Sequence, residues 1–245
     1  MAGEVLKIGP AMSTRGGAEN DCQLPAPGAL ENPMCGRYSL TKKELRLVSQ
    51  LPPAEVQLHL QPRFNIAPTQ NAPVIIMEDG QMAPREMRWG LQPAWSPGPI
   101  INARAETLTA KPAFRRAFLH GRCLVPADGF YEWRRPDKAP FRFVAPEGEA
   151  FCFAGIWDQA LVQKAAGPVR AYAILTTGAS AEVLPIHARM PLILAPADYG
   201  GWLADGARAE EILRTPCAAR LRRYPVSTLV NSPLNEDPRC VEQQN

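Results

Sequence analysis

Histidine is scarce in this chain and widely spaced: His59, His120 and His187 are the only three in 245 residues. The six cysteines, at 22, 35, 123, 152, 217 and 240, make no C-x-x-C pair and no metal-ligand spacing with those histidines. Zinc-finger and iron–sulfur readings are therefore excluded, and no metal or organic cofactor is implied. No secretory signal is apparent ahead of the cysteines, so a reducing cytoplasm with free thiols is expected, nucleoid-associated if the source is bacterial. Apolar runs approaching the roughly 18 residues of a membrane-spanning helix are also missing, and no membrane partner is expected. What the chain does have is proline, 26 against 18 glycines, which predicts many turns and few long helices. With 46% hydrophobic and 21% charged residues, the composition is that of an ordinary globular protein with a sizeable core. Net charge is +3 overall; beyond residue 34 it is 25 basic against 20 acidic, a mild bias that permits nucleic-acid contact without demanding it.

Residues 1–33 show neither helical nor strand periodicity and are expected to form a disordered extension. At Met34 the character changes. Met34 to Leu40 reads as a short strand, and Thr41-Lys42-Lys43-Glu44 has the capping-box pattern that opens a helix, here through about Leu51. Strand-sized runs follow at 74–77, 86–89, 122–125, 130–133, 141–144, 151–157, 170–176, 190–194 and 223–226, with helical patterns at 111–119, 196–203 and 207–214. There is no internal repeat and no regular βαβ alternation. The pattern predicts an α+β fold, a mainly antiparallel, barrel-like β-sheet with a few peripheral helices, in a single domain over 34–240. The chain from Asn235 is polar and is expected to fray, with 241–245 as a tail outside the domain.

Four polar residues stand among apolar or Gly/Pro neighbours, where a polar side chain is costly unless used or paired: Cys35, Asn102, Glu132 and His187. Between Tyr131 and Trp133, a desolvated Glu132 carboxyl would have its pKa pushed up into proton-transfer range. Plain strand alternation would instead turn both aromatics inward and Glu132 out to solvent. His187, in Ile186-His187-Ala188-Arg189-Met190-Pro191, is either a structural histidine or a group that titrates near neutrality. Asn102 reads as a turn residue or as an amide orienting a substrate hydroxyl. Cys35 alone would be a small buried residue, but it directly follows Met34. With Met34 removed, Cys35 carries a free amine and a thiol on adjacent carbons. An α-amine of reference pKa about 7.7–8.0 is partly neutral near pH 7 and condenses with aldehydes. The thiol then closes a five-membered thiazolidine, which an internal cysteine cannot do.

Seven segments occur in order: Met-Cys-Gly-Arg-Tyr (34–38), Arg-Phe-Asn-Ile-Ala-Pro-Thr (63–69), Trp-Gly-Leu-Gln-Pro-Ala-Trp (89–95), Ile-Asn-Ala-Arg-Ala-Glu-Thr (101–107), Arg-Cys-Leu-Val-Pro-Ala-Asp-Gly-Phe-Tyr-Glu-Trp (122–133), Ile-His-Ala-Arg-Met-Pro (186–191) and Val-Asn-Ser-Pro (230–233). Together they resemble the SOS response-associated peptidase (SRAP) family across roughly residues 34–240. The resemblance implies a sensor of abasic sites in single-stranded DNA, acting in DNA damage repair, that shields the lesion with a DNA–protein crosslink. By the same resemblance Cys35 forms the thiazolidine with the sugar aldehyde, Asn102 positions the amine and the opened sugar, Glu132 shuttles protons, and His187 helps open the deoxyribose ring. Arg37, Arg104 and Arg189, each within two residues of one of these, are candidates for the flanking phosphates. Trp95 is a candidate for base stacking, and Asn65, Pro68 and Asn231 follow the same motif logic. A monomer is the default.

With residues 1–33 attached, Cys35 has an amide nitrogen in place of the amine. A start codon assigned too early is the favoured explanation; cellular processing and self-cleavage at Met34-Cys35 are the others. Two competing functions remain. A cysteine peptidase would use the Cys35 thiolate activated by His187, although no oxyanion element is recognisable. A non-covalent single-stranded DNA-binding module would not need Cys35.

Overall fold

The computed structural model describes residues 35–50, 53–93, 96–161, 167–215 and 219–245. Strands β1 (Tyr38–Leu40), β2 (Glu44–Gln50), β3 (Pro53–His59), β4 (Arg63–Ile66), β5 (Asn71–Glu78), β6 (Gln81–Trp89) and β7 (Asn102–Arg104) lead to helix α1 (Pro112–His120). Then come β8 (Arg122–Ala127), β9 (Gly129–Trp133), β10 (Pro140–Val144), β11 (Phe151–Leu161), β12 (Pro168–Gly178), β13 (Arg189–Pro191) and β14 (Ile193–Leu194). Helices α2 (Tyr199–Ala204) and α3 (Gly206–Arg214) and strand β15 (Arg222–Pro225) follow.

Strands β5, β6, β12, β11 and β8 pair in that order, and β8 returns to β5 through Ile75 opposite Leu124, so the five close into a barrel. Closure leaves no open edge within the ring. The pairing is antiparallel except between β12 and β6. Local sequence explains its best-formed hairpin. Asp79 and Gly80 both have positive φ, the type I′ geometry whose twist matches the flanking strands, and they set Glu78 opposite Gln81. Val74, Ile75 and Ile76 are fully buried, each side chain contributing about 1.5–3 kcal/mol of burial.

A second antiparallel sheet, in the order β15-β10-β9-β1-β4, lies against the barrel. Tyr38 of β1 meets Trp89 and Phe153 edge-on at 5.2 and 5.9 Å, and Phe130 of β9 meets Phe153 at 6.2 Å. The opposite face of this sheet is covered by the C-terminal segment, where Tyr131, Val144, Tyr224, Val226, Val230 and Cys240 form a second apolar cluster. The central strand β9 is therefore buried on both sides.

The α+β, barrel-like architecture matches the expectation, as do the strand runs from 74 onward and the three downstream helical segments. The helix expected at 41–51 does not form. Thr41, its would-be cap, instead donates its backbone N–H at 2.6 Å and its hydroxyl to Asp128. Residues 44–50 form β2, with Leu47 and Ser49 buried on one face while Glu44, Arg46, Val48 and Gln50 are exposed, paired to β3 over its length. The short strand expected from Met34 begins only at Tyr38. The fraying expected from Asn235 is also corrected. Cys240 is fully buried, the Asn235 amide donates to Leu229 O at 2.7 Å, and Gln244 N donates to Pro225 O at 2.9 Å. Among the described residues no helix is long and apolar enough to cross a membrane.

Candidate active site

Gly129 opens β9, and a Cβ there would lie 2.7 Å from Arg142 Nε, so any side chain would push the Arg142 guanidinium aside. Arg142, on β10, reaches across this gap and donates to Asp128 Oδ1 at 2.9 Å, to Ser39 Oγ and, through Nη1, to the Tyr224 hydroxyl at 2.7 Å. Ser39 Oγ itself donates to Asp128 Oδ1 at 2.7 Å. This buried cluster ties β1, β9, β10 and β15 together and fixes Tyr38 opposite Phe130. Cys35 lies three residues before β1 begins, and Glu132 lies three residues into β9. The clamp thus determines where the two meet.

They meet at the Cys35 backbone nitrogen, which donates to Glu132 Oε1 at 2.7 Å. Glu132 is only 4% exposed and Cys35 2%, so the alternation that would have sent Glu132 to solvent is overridden by the cover on both faces of β9. Burial pushes the Glu132 carboxyl above the ordinary carboxylate range, opposed in part by the positive field of His187 and by the Cys35 N–H bond. Burial, and then the neighbouring Glu132 charge, push the Cys35 thiol up as well. The Cys35 backbone is left-handed, with φ of 45°.

His187 ends the turn that begins at Ser180, its N–H bonded to Val183 O at 3.0 Å. Its Nδ1 lies 3.1 Å from both the Arg189 backbone N–H and the Arg189 carbonyl, accepting from the first in one tautomer and donating to the second in the other. Asn102 lies on β7, opposite Ile174 of β12. The strand is set by the Ile101 carbonyl, which accepts from Trp89 Nε1 and Ile174 N, both at 3.0 Å. A buried bond between the Tyr38 and Tyr172 hydroxyls, 2.7 Å, links β1 to the same stretch of β12. Strands β7 and β13 both pair with the last residues of β12, and this convergence brings Asn102, Arg104 and Arg189 to one end of the barrel.

The candidate DNA-contacting residues fall into two groups. Arg37 is half-buried and donates to Asn65 Oδ1 at 3.0 Å and to the Val230 and Asn231 carbonyls at 2.5 and 3.1 Å. Asn65 is fully buried, Pro68 half-buried and Asn231 exposed, with Asn231 Oδ1 accepting from Trp133 Nε1 at 2.7 Å. The second group is Arg104, exposed beside a cleft with Asn102, Lys111, Phe114 and Thr176, and Arg189, held by Glu106 in a bidentate pair at 2.6 and 2.8 Å. Arg189 holds the Glu106 carboxyl below its usual range. Trp95, Met34 and residues 1–33 lie outside the described residues. Sequence reasoning missed Asp128, Arg142 and Glu106. Asp128 sits inside a quoted motif, but its partners lie on other strands, and nothing local marks it.

The barrel and its flanking sheet thus set the backbone nitrogen of Cys35 against the buried Glu132 carboxyl, within electrostatic reach of the His187 ring. The family described as SOS response associated peptidase (SRAP) matches residues 34–233, and the chain belongs to that family. It is 35% identical over 227 residues to the abasic site processing protein YoqW of Bacillus subtilis, covering 85% of this chain and 99% of that one. It is 31% identical over 221 residues to the abasic site processing protein HMCES of Gallus gallus, covering 74% and 66%. Among solved structures, a protein from Bacteroides thetaiotaomicron superimposes with a TM-score of 0.64 at 25% identity, covering 76% of this chain and 87% of that one. A phage-related protein from Bordetella bronchiseptica gives 0.62 at 29%, covering 78% and 94%.

Proposed function

We propose that this protein senses abasic sites in single-stranded DNA and shields them through a covalent crosslink at Cys35, acting as the N-terminal residue. The observation that carries this reading is the 2.7 Å bond between Glu132 Oε1 and the Cys35 nitrogen. The same nitrogen becomes the nucleophilic amine once nothing precedes it. The names of the relatives, abasic site processing proteins, point to the same lesion, and the family match begins at Met34, in keeping with a start at that residue.

The reaction begins when His187 relays the proton of the C1′ hydroxyl to the ring oxygen of the deoxyribose, breaking the C1′–O bond of the ring and releasing the C1′ aldehyde. The Cys35 amine attacks that carbon and gives up a proton to Glu132. Glu132 passes that proton to the former carbonyl oxygen to give the carbinolamine, then carries the second amine proton to the resulting hydroxyl, and water leaves as the C=N bond forms. The thiol adds across that bond, forming C–S as its proton passes to nitrogen, so the net loss is one water. Closing the ring removes the iminium, which would otherwise draw electrons for β-elimination and strand breakage. Asn102 orients the amine and the opened sugar, and Arg104 and Arg189 take the flanking phosphates, with Arg37, Asn65, Pro68, Asn231 and Trp95 along the strand. Running the steps backward with water releases the DNA.

A thiolate peptidase at the same cysteine is less well supported. Such an enzyme needs a thiol held low by an imidazolium, whereas burial and Glu132 push this one up. The deciding experiment is the intact mass of protein beginning at Cys35 after incubation with an oligonucleotide bearing one abasic site. A heat-stable species of protein plus DNA minus one water, absent in Cys35→Ala, is the expected result; no adduct overturns the reading.

A further inference from the structure

Glu132 and His187 are carried by different parts of the fold. Glu132 lies on β9 in the second sheet, whereas His187 ends the turn between β12 and β13, strands of the barrel's sheet. The base of that turn is fastened to the barrel: Gly178 pairs with Arg189, and Ala179 N donates to Ala188 O at 3.1 Å. Beyond the base its backbone bonds are internal, from Val183 and Leu184 to Ser180 O and from Ile186 and His187 to Val183 O. The buried Val183 side chain sets the depth of the turn, but apolar packing is non-directional and does not set its tilt. Arg223 supplies a directional bond from outside: its Nη1 donates to Glu182 O at 2.6 Å. Arg223 lies on β15 opposite Phe143 of β10, which lies opposite Phe130 of β9. Residues in one row across a sheet share a face, as do residues two apart along a strand, so Arg223 stands on the face that bears Phe130 and Glu132. Its neighbours Arg222 and Tyr224 take the other face, the Arg222 guanidinium 5.2 Å from the Tyr224 ring in the C-terminal cluster. His187 is near enough for its field to act on the Glu132 carboxyl.

We propose that Arg223 is a positioning residue for His187: its bond to the Glu182 carbonyl ties the turn that ends in the imidazole to the sheet that carries Glu132. It thereby fixes the group that opens the sugar relative to the group that serves the amine; this rests on the abasic-site reading above. A misplacement of about 1 Å in a reacting group costs up to about 10²-fold in rate, which a turn held only at its base would readily incur. The planar guanidinium suits the task, because its donors point in fixed directions.

The test gives protein beginning at Cys35 two substrates: single-stranded DNA with a natural abasic site, whose sugar ring must be opened, and the same DNA with an acyclic aldehyde there, which needs no opening. Crosslinking rates are taken at saturating DNA. Arg223→Ala is expected to slow the natural site by about 10–10²-fold and to leave the acyclic aldehyde within about twofold of wild type. Arg223→Lys, which keeps a donor, restores most of the rate. In a His187→Ala background, Arg223→Ala adds no further loss on the natural site. A general disturbance of the fold would slow both substrates alike, and that result overturns the proposal. So does an unchanged rate on the natural site, or full additivity with His187→Ala; crosslinking by the wild-type chain in those cases leaves the abasic-site reading standing. No adduct from wild type with either DNA overturns both.

Discussion

Asp128 and Arg142 form an ion pair at 2.9 Å in the interior of the second sheet, with side chains only 4% and 9% exposed. Asp128 also accepts from Ser39 and Thr41, and Arg142 also donates to Ser39 and to the Tyr224 hydroxyl of β15. The pair is the clamp between the strand that follows Cys35 and the strand that bears Glu132.

Breaking that clamp from one side strands a charge. Asp128→Ala or Arg142→Met is expected to cost about 3–5 kcal/mol of folding stability, since the surviving ion has no replacement partner. Urea unfolding measures this. A loss under about 1 kcal/mol would show that water reaches the survivor and that the pair is less enclosed than its burial indicates.

Glu132→Gln keeps an oxygen for the Cys35 N–H and removes the titrating proton. Crosslinking by protein starting at Cys35 is expected to slow by about 10²–10⁴-fold. Stability should move the opposite way with pH. The folded pKa lies above the unfolded one, so the folded state binds the extra proton, and stability present at low pH is lost as pH rises through the folded pKa. Urea midpoints for wild type should fall relative to Glu132→Gln between acid and neutral pH. Parallel curves would mean the carboxyl is not perturbed.

Glu106 occupies the guanidinium of Arg189 with both oxygens, as a phosphate would. Glu106→Gln is expected to tighten binding to abasic single-stranded DNA, and Arg189→Gln to weaken it and lower the slope of log K against log salt by about 0.7. Anisotropy titrations at several salt concentrations read both. Unchanged affinity in both variants would remove Arg189 from the DNA path.

The Tyr38 and Tyr172 hydroxyls satisfy one another in a fully buried setting. Either single Tyr→Phe change should cost about 1–3 kcal/mol by orphaning the partner, and the double change should cost less than the sum. A double-mutant cycle in urea that comes out additive would contradict the pairing.

The later strands were legible because β8, β11 and β12 are apolar runs bounded by Gly and Pro, and they remain strands in any packing. Residues 41–50 were not. Thr41 and Glu44 satisfy a local helix rule, but Asp128, 87 residues away, takes both donors of Thr41. For Glu132 the motif marked the residue, yet the C-terminal segment takes Tyr131 and Trp133 while Phe130 and Cys35 belong to the barrel-side core, an assignment of faces that no periodicity within residues 129–133 encodes. The tail was misjudged for the same reason. Its composition is polar, while its Gln244 backbone N–H and its Asn235 side-chain amide are bonded to the carbonyls of Pro225 and Leu229.

The left-handed backbone at Cys35 has one more consequence. An L-residue held there costs about 1–2 kcal/mol, because its Cβ crowds the neighbouring carbonyl. The angle in question is defined by the carbonyl of the preceding residue, and a residue that begins a chain has no such angle. Severing the bond before Cys35 therefore abolishes the torsion along with its penalty. The chain with a residue before Cys35 and the chain that begins there thus differ at this one torsion, held left-handed in the first and undefined in the second.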